Sequence, residues 1–239
     1  MYSRAIALLI LILFGGTTSY CQAKLVIKPG LSIGYGFNYI QNKLTAEESF
    51  TSPKPGFTLV LNGRAEYYLD SSTFLDLTFK GSEAFFSFRF GIDKVFSYIH
   101  QTSASMNQFN VGINRFFIKP KIGVGIGLAF NADEDYYQRN FANESYRVVA
   151  SSVSYSRKYT ITPDKSIGVI LIGRIGFSFY KDKKELFDLV LEYNKGLTNL
   201  ATMNLDYTIN NNSYKTILGS RATNINLTTG IPITLLRFK

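Results

Sequence analysis

The chain has 239 residues and a formal net charge of +9, with no tryptophan but 16 tyrosines, 20 phenylalanines and 19 glycines. A strongly basic chain often binds nucleic acid, but here the basic residues are scattered among predicted strands and turns that follow an export signal. We therefore exclude nucleic acid as a partner. The expected counter-charges are outer-membrane lipid headgroups and the phosphates of lipopolysaccharide.

The first 23 residues have the three parts of a cleaved secretory signal. Arg4 supplies the positive start, residues 5–14 form an unbroken apolar core, and Cys21 and Ala23 lie where a signal peptidase would inspect the chain. Lipidation of Cys21 is the alternative, and Tyr20 fits it poorly because that enzyme prefers a small residue there. We predict a signal peptide over residues 1–23 and one domain over residues 24–239, which then holds no cysteine and forms no disulfide.

The first part of this domain alternates apolar and polar residues with the period of two that is typical of strands. Strands are predicted over residues 30–40, 55–70 and 73–80, separated by a polar connection at 41–54 and a tight turn at 70–72. The middle strand keeps its alternation for about 14 residues, more than the roughly 9–11 that a tilted strand needs to cross a bilayer.

Residues 81–106 are ambiguous. Alternation is strong over residues 86–93 and weak over residues 95–101. The segment fits a long loop, a strand pair standing above a membrane, or two further spanning strands.

The rest of the chain repeats the strand pattern. Strands are predicted over residues 108–118, 122–130, 166–180, 186–195 and 222–238. Short turns fall at 119–121 and 181–185, and polar connections at 131–165 and 197–221, the second with a hairpin signal at 210–213. In residues 122–130 one face carries glycines at 123, 125 and 127. Since glycine in a strand often marks close approach by another group, we expect large inward side chains from neighbouring strands there.

The connections alternate between long and short, as in an outer-membrane barrel with short periplasmic turns and long extracellular loops. We predict an all-β fold, a closed antiparallel up-and-down transmembrane barrel of eight strands, with ten or twelve strands as alternatives. The rival is a soluble sandwich or lipocalin-like barrel, and periodicity alone cannot separate inside from outside. Charges in mid-strand, interleaved with glycines, favour a polar lumen and therefore the membrane barrel.

In such a barrel, one face of each strand lines the lumen and the other contacts lipid. The lumen is predicted to hold a charge network that plugs it, formed by Arg64, Glu66, Arg174, Asp188 and Glu192. The lipid-facing set is predicted to comprise Phe57, Leu59, Leu61, Leu69, Val124, Ile126, Leu128, Leu171, Ile175, Phe177, Leu189 and Leu191. The turn lysines 119, 121, 181, 183 and 184 are expected at the periplasmic surface, and Tyr35, Tyr39, Tyr67 and Tyr193 in interfacial girdles.

Three stretches resemble the small outer-membrane β-barrel proteins of Bacteroidetes, the PorT-like group. They are the signal ending SYCQA, the segment LDLTFKG at residues 75–81, and the pair QFNVGINRFFIKPKIGVGIGLAF at residues 108–130. The resemblance implies an eight-stranded barrel, in some relatives attached to secretion machinery. The terminal Arg237-Phe238-Lys239 departs from the usual barrel ending, in which the aromatic residue comes last.

Signals for chemistry are weak. His100, the single histidine, is read as lying in a loop without a partner carboxylate, and the acidic run at residues 133–135 is read as solvated rather than as a cation site. We predict no enzyme activity, cofactor or metal. The expected function is structural, as a plugged barrel in an envelope or secretion assembly. The alternatives are a narrow solute channel and, less favoured, a lipid-modifying enzyme.

Overall fold

The computed structural model describes residues 24–43, 49–92, 96–116, 120–131, 142–148, 153–182 and 184–237. The predicted signal peptide, Cys21 and the acidic run at 133–135 lie outside these ranges. Within them the chain forms strands and no helix long and apolar enough to cross a membrane. The strands are β1 Lys24–Lys43, β2 Ser49–Pro53, β3 Gly56–Tyr68, β4 Thr73–Ile92, β5 Phe96–Phe116, β6 Pro120–Asn131, β7 Ala142–Val148, β8 Val153–Pro163, β9 Ile167–Lys181, β10 Lys184–Gly196, β11 Ala201–Ile209, β12 Asn212–Gly230 and β13 Ile233–Arg237.

Eight of these strands close into a barrel. The ring runs β1-β3-β4-β5-β6-β9-β10-β12, every described neighbour pair is antiparallel, and pairing of β12 with β1 closes it. Strands adjacent in the ring follow one another along the chain, apart from inserted loop strands. The predicted fold class and the favoured strand number are therefore confirmed.

The stagger of the ring sets its width. A ladder that starts at Val26 passes through every strand and returns to β1 at Gly36, ten residues further on. At about 3.3 Å per residue and 4.8 Å per strand, this stagger corresponds to a strand tilt of about 40°. A barrel of eight strands with this tilt has an interior just wide enough for side chains to fill.

Short turns and both ends of the described chain lie at one end of the barrel, the turn end. There Asp70 closes the β3–β4 turn, because its Oδ1 accepts hydrogen bonds from the backbone N–H of Ser72 at 2.6 Å and of Thr73 at 2.7 Å. The predicted turn at residues 70–72 is thus confirmed. The opposite end, the loop end, carries the long connections.

A three-strand sheet extends the barrel at the loop end, and we call β8, β11 and the upper part of β12 (residues 212–220) the extension sheet. β11 pairs with both β12 and β8, and β7 adds to β8. The turn between β11 and β12 places Asn210 and Asn211 at φ 48° and 70°, the left-handed conformation that hairpin turns require and asparagine tolerates.

The ring exposes apolar side chains on its outer surface, whereas the extension sheet exposes polar ones. In the ring, large apolar side chains are exposed outside, such as Leu61 at 75%, while polar side chains are buried inside. In the extension sheet, Met203 and Leu205 are fully buried inside, and Asn204 and Lys215 are exposed outside. The change falls at a bulge in β12, where Asn38 pairs with Ser220 and its neighbour Phe37 with Thr223.

Residues 81–106 are a strand pair, one of the three structures that the sequence allows there. They form the upper halves of β4 and β5, in register up to Ile92 and Phe96. Two other sequence predictions need correction. Residues 197–221 are not simply a polar connection but contain β11 and half of β12, whose inner face is apolar. The predicted last strand is interrupted at Ile231 and Pro232.

The inward glycines of β6 make room for asparagines of β5. A side chain at Gly123 would collide with the amide of Asn114, and one at Gly127 with the amide of Asn110. The expected close approach at these glycines is therefore observed, and the approaching groups are polar.

Candidate functional site: the barrel interior

The interior is layered along the barrel axis. From the turn end toward the loop end come a charged layer, a layer of amides and hydroxyls, and an apolar cluster. The layers follow from the inward residues of successive strands, because alternation sends every second side chain into the lumen.

The first charge cluster lies nearest the turn end. Lys28 Nζ contacts Glu66 Oε2 at 3.0 Å, Glu185 Oε1 at 2.7 Å and Asp188 Oδ2 at 3.0 Å. Lys121 Nζ reaches Asp188 Oδ2 at 3.0 Å and Glu185 Oε1 at 3.2 Å. The two lysines come from β1 and β6, on opposite sides of the ring, so the cluster spans the lumen.

Arg64 completes this first cluster. Its Nε lies 3.1 Å from Glu66 Oε1, and its Nη2 donates to Asp188 Oδ2. Asp188 thus receives three cations at a single carboxylate oxygen. Removing that carboxylate would leave the three cations with fewer partners.

The second charge cluster lies above the first. Arg174 Nε donates to Glu192 Oε2 at 2.7 Å, and Arg174 Nη1 donates to both oxygens of Asp76. Lys80 Nζ pairs with Glu192 Oε1, and Asn114 Nδ2 donates to Asp76 Oδ2. Arg174 from β9 therefore bridges β10 and β4.

The charges of the two clusters balance and are shielded from water. The clusters hold five cations, Lys28, Arg64, Lys80, Lys121 and Arg174, and five carboxylates, Glu66, Asp76, Glu185, Asp188 and Glu192. All ten side chains are 10% exposed or less. A cavity of about 10 Å³ lies between the clusters, room for about one water molecule. Burying such charges is tolerable only with this degree of pairing.

An aromatic floor lies beneath Lys121. The rings of Phe74 and Tyr68 stack at 5.0 Å, and those of Phe74 and Phe116 meet at 5.6 Å. Lys121 Nζ lies 5.2 Å from the centre of the Phe116 ring, a distance at which a cation is attracted to the ring face. The floor and the cation together narrow the lumen toward the turn end.

Amides and hydroxyls fill the middle layer. Asn194 Nδ2 donates to Asn224 Oδ1 at 2.6 Å, and Asn226 Nδ2 donates to the same oxygen at 2.6 Å. Between β3 and β1, Asn62 Nδ2 donates to Ser32 Oγ at 3.0 Å. These bonds link side chains across four strands, so the middle of the lumen is also held together by polar contacts.

An apolar cluster occupies the loop-end part of the interior. It joins inward residues of the ring to the inner face of the extension sheet. Its members include Phe86, Phe88, Met106, Ile161, Ile170, Ile172, Leu200, Met203, Leu205, Tyr207 and Leu218. The extension sheet and the loop-end part of the ring therefore share a hydrophobic core that caps the lumen.

The predicted lumen residues can now be placed. Arg64 lies with Glu66 and Asp188, and Arg174 with Glu192, so the five residues divide between two clusters. The sequence reading missed five further members. Two of them, Asp76 and Lys80, could have been assigned to the lumen from the sequence, since they alternate with Leu75, Leu77 and Phe79 in a predicted strand.

Lys121 corrects a prediction, because it was expected at the turn surface and is buried in the lumen. Glu185 was likewise assigned to a charged turn, yet it begins β10 and pairs with Lys28. Both residues directly follow turns, where charges are usually solvated.

Eleven of the twelve predicted lipid-facing residues lie on the outer face of the ring, and Leu69 is exposed in the β3–β4 turn. Leu59 and Ile126 are exposed at 60% and 63%, whereas Val124 and Leu189 are half-buried between neighbours. Of the expected aromatic girdle, Tyr39 is held in a polar contact instead, because its hydroxyl donates to Asn199 Oδ1 at 2.8 Å.

His100 lies in β5 rather than in a loop, with its backbone paired to that of Phe88. Among the residues that the structure describes, no group of three or more His, Cys, Asp or Glu side chains has the geometry of a metal site.

Comparison with known proteins gives matches in structure only. No family model matches the chain, and no curated protein matches it. The crystal structure of the outer membrane protein OprG from Pseudomonas aeruginosa is similar, with 9% identity, a TM-score of 0.45, and coverage of 90% of this chain and 97% of that one. The outer membrane protein AlkL, solved in DMPC lipid bilayers, has 13% identity, a TM-score of 0.38, and coverage of 94% and 96%.

Proposed function

We propose that this chain is an outer-membrane β-barrel with a closed interior. The support is the chain's own surface. A ring of eight strands leaves no open edge, which a bilayer requires because it offers no water to unpaired backbone groups. Outside the ring, leucines, isoleucines and aromatic residues are exposed in numbers unusual for a soluble domain. In the membrane these residues contact lipid.

The turn end then faces the periplasm and the extension sheet faces outward. Short periplasmic turns and long outer loops are the usual arrangement of such barrels. The export signal predicted at residues 1–23 agrees with this placement, as does the resemblance to the PorT-like group.

The single observation that carries the closed state is the paired charge layer. Ten charged side chains from six strands fill the cross-section with contacts at salt-bridge distance. The apolar cluster adds a second barrier nearer the loop end. The protein acts without catalysis, as a structural component of the envelope or of a secretion assembly that presents the extension sheet outside the cell.

A narrow channel is the second candidate, and one observation favours it. A cavity of about 380 Å³ opens at the turn end, lined by residues that include Tyr68, Phe116, Lys184 and Glu185. Glu185, a member of the first charge cluster, lines this cavity. In that cluster Lys121 has three carboxylates within reach, those of Glu66, Glu185 and Asp188. Exchange among those partners would open a path for a small solute.

Planar-bilayer recording of the purified protein separates the two candidates. The closed barrel predicts no steady open level for the natural chain. Asp188→Ala, which removes the shared partner of three cations, is expected to give brief openings, whereas the exposed-residue control Lys184→Gln is not. A steady open level in the natural chain would contradict the closed state and support the channel.

A further inference from the structure

The outer face of the extension sheet carries two polar rows that the closed-barrel function does not use. In the first row, Lys158 of β8, Asp206 of β11 and Lys215 of β12 are directly opposite one another. In the second row, one step nearer the hairpin tip, hydroxyls of Ser156, Thr208 and Ser213 are aligned in the same way.

The two rows line one concave surface. A cavity of about 390 Å³ lies against them, and both lysines are exposed. Lys215 Nζ is 3.5 Å from Asp206 Oδ1, with these side chains 63% and 48% exposed. Two cations, one carboxylate and three hydroxyls thus face the same open space.

The position of this surface decides what it meets. β12 runs without a break from its lipid-facing residues Ile225 and Leu227 to Lys215. Lys215 lies ten residues beyond Ile225, roughly 30 Å along the strand. At a strand tilt of about 40°, this corresponds to about 25 Å of height above Ile225. That is beyond a phospholipid headgroup layer of roughly 5–8 Å and at a level that the saccharide of a glycolipid reaches.

Polar groups also occupy the intervening outer face. The guanidinium of Arg221 lies 4.4 Å from the centre of the Tyr39 ring. Asn199 and Thr202 are tied to each other and to Asp164, with Thr202 Oγ1 donating to Asp164 Oδ2 at 2.6 Å. A hydrophilic surface therefore continues from the edge of the apolar band up to the lysine row.

We propose that the outer face of the extension sheet binds the phosphorylated saccharide of a lipid anchored in the same leaflet. This inference rests on the proposed membrane placement. Lys158 and Lys215 bind phosphate as charge partners, while Asp206 and the hydroxyl row exchange hydrogen bonds with sugar hydroxyls. The lipid anchor holds the sugar beside the barrel, so the exposed contacts need not be strong individually.

The test measures binding of lipopolysaccharide to the purified full chain in detergent, by titration at low and at high salt. The probes are lipopolysaccharide with a phosphorylated core, the same material after dephosphorylation, and phosphatidylglycerol. The variant is Lys158→Gln with Lys215→Gln. The matched control is Lys181→Gln with Lys184→Gln, which removes two exposed lysines at the opposite end.

The double variant is expected to bind phosphorylated lipopolysaccharide roughly 10- to 30-fold more weakly, since each lysine near an anionic headgroup contributes about 1 kcal/mol. Two controls show whether the loss of affinity depends on these two lysines and on phosphate. The control variant is expected to keep its affinity. The dephosphorylated probe is expected to bind the double variant and the natural chain equally.

Unchanged affinity in the double variant overturns the inference, as does an equal loss toward phosphatidylglycerol, which would indicate attraction to any anionic lipid. Folding is verified in the same samples by the heat-dependent gel shift of a closed barrel. If the natural chain fails to insert as a barrel, the proposed function fails. If it inserts and the lysine double variant binds phosphorylated lipopolysaccharide as tightly as the natural chain does, this inference alone fails.

Discussion

The ring and the extension sheet share β12, but they expose opposite kinds of side chain on their outer surfaces. In the turn-end and middle parts of the ring, polar side chains are inside and leucines are outside. In the extension sheet, Leu205 is inside and Asn204 is outside. Alternation along a strand separates polar from apolar side chains but does not show which set faces inward. The medium around the strand, lipid or water, decides that.

Charged side chains are buried in the ring but exposed to water on the extension sheet. Buried charges of the ring, such as Arg174, are held by several partners, whereas Lys215 of the extension sheet faces one carboxylate in water. Buried pairs are costly to break, but exposed pairs contribute little.

The largest effect is expected from Arg174→Ala. Loss of the guanidinium leaves Asp76 and Glu192 short of partners in a buried layer, which costs about 3–5 kcal/mol of unfolding free energy. The matched exposed variant, Lys215→Ala, is expected to cost less than about 1 kcal/mol. Urea unfolding of the barrel in detergent or lipid measures both. Equal costs would mean that the lumen charges are solvated.

Leu205→Ala tests the hydrophobic core of the extension sheet. Leu205 is fully buried, and truncating such a leucine costs about 2–5 kcal/mol locally. We expect faster proteolysis within residues 197–221, while the barrel keeps its heat-dependent gel shift. Unfolding of both regions together would show that they form one cooperative unit.

Leu61→Arg tests the outer face of the ring. An arginine on the lipid face is expected to cost about 2–4 kcal/mol near the bilayer midplane. Asn204→Arg, an outward position of the extension sheet, should be nearly neutral because its side chain stays in water. Equilibrium folding into lipid vesicles measures the difference, and a neutral Leu61→Arg would place that leucine outside the membrane.

The smallest effect is expected from Asp70→Ala. Bonds donated by Ser72 and Thr73 outweigh slight burial and lower the pKa of the Asp70 carboxyl below its ordinary value of 3.8. Its contribution is therefore complete above about pH 4 and is lost as pH falls through the lowered pKa. The variant should lose about 0.5–1.5 kcal/mol at neutral pH, and the difference from the natural chain should shrink in acid.

Much of the ring could be predicted from sequence because long alternation is a strong signal. The alternation of residues 55–70 identified β3 and its faces, and the mid-strand charges indicated a polar interior. Lys121 and Glu185 could not be placed in the lumen, because residues beside turns are usually solvated. Lys28 precedes Pro29 and the predicted start of a strand at residue 30, although β1 begins at Lys24.

The extension sheet was missed for a different reason. Met203, Leu205, Tyr207 and Ile209 alternate with polar residues, and this signal was present in the sequence. It was outweighed by the polar character of residues 197–221 as a whole. Pairing of β11 with β8 joins residues 38 to 54 positions apart, from Ala201 with Pro163 to Ile209 with Tyr155. Alternation within either segment does not reveal that contact.

The absence of tryptophan from the chain allows the central claim to be tested with single introduced tryptophans on β12. Leu227→Trp reports the outer face of the ring, and Ser213→Trp reports the outer face of the extension sheet. In vesicles with brominated lipid, the tryptophan at position 227 is predicted to emit at shorter wavelength and to be strongly quenched. The one at position 213 is predicted to emit as in water, without quenching. Equal quenching at both positions, or quenching at position 213 alone, would contradict the inversion of faces.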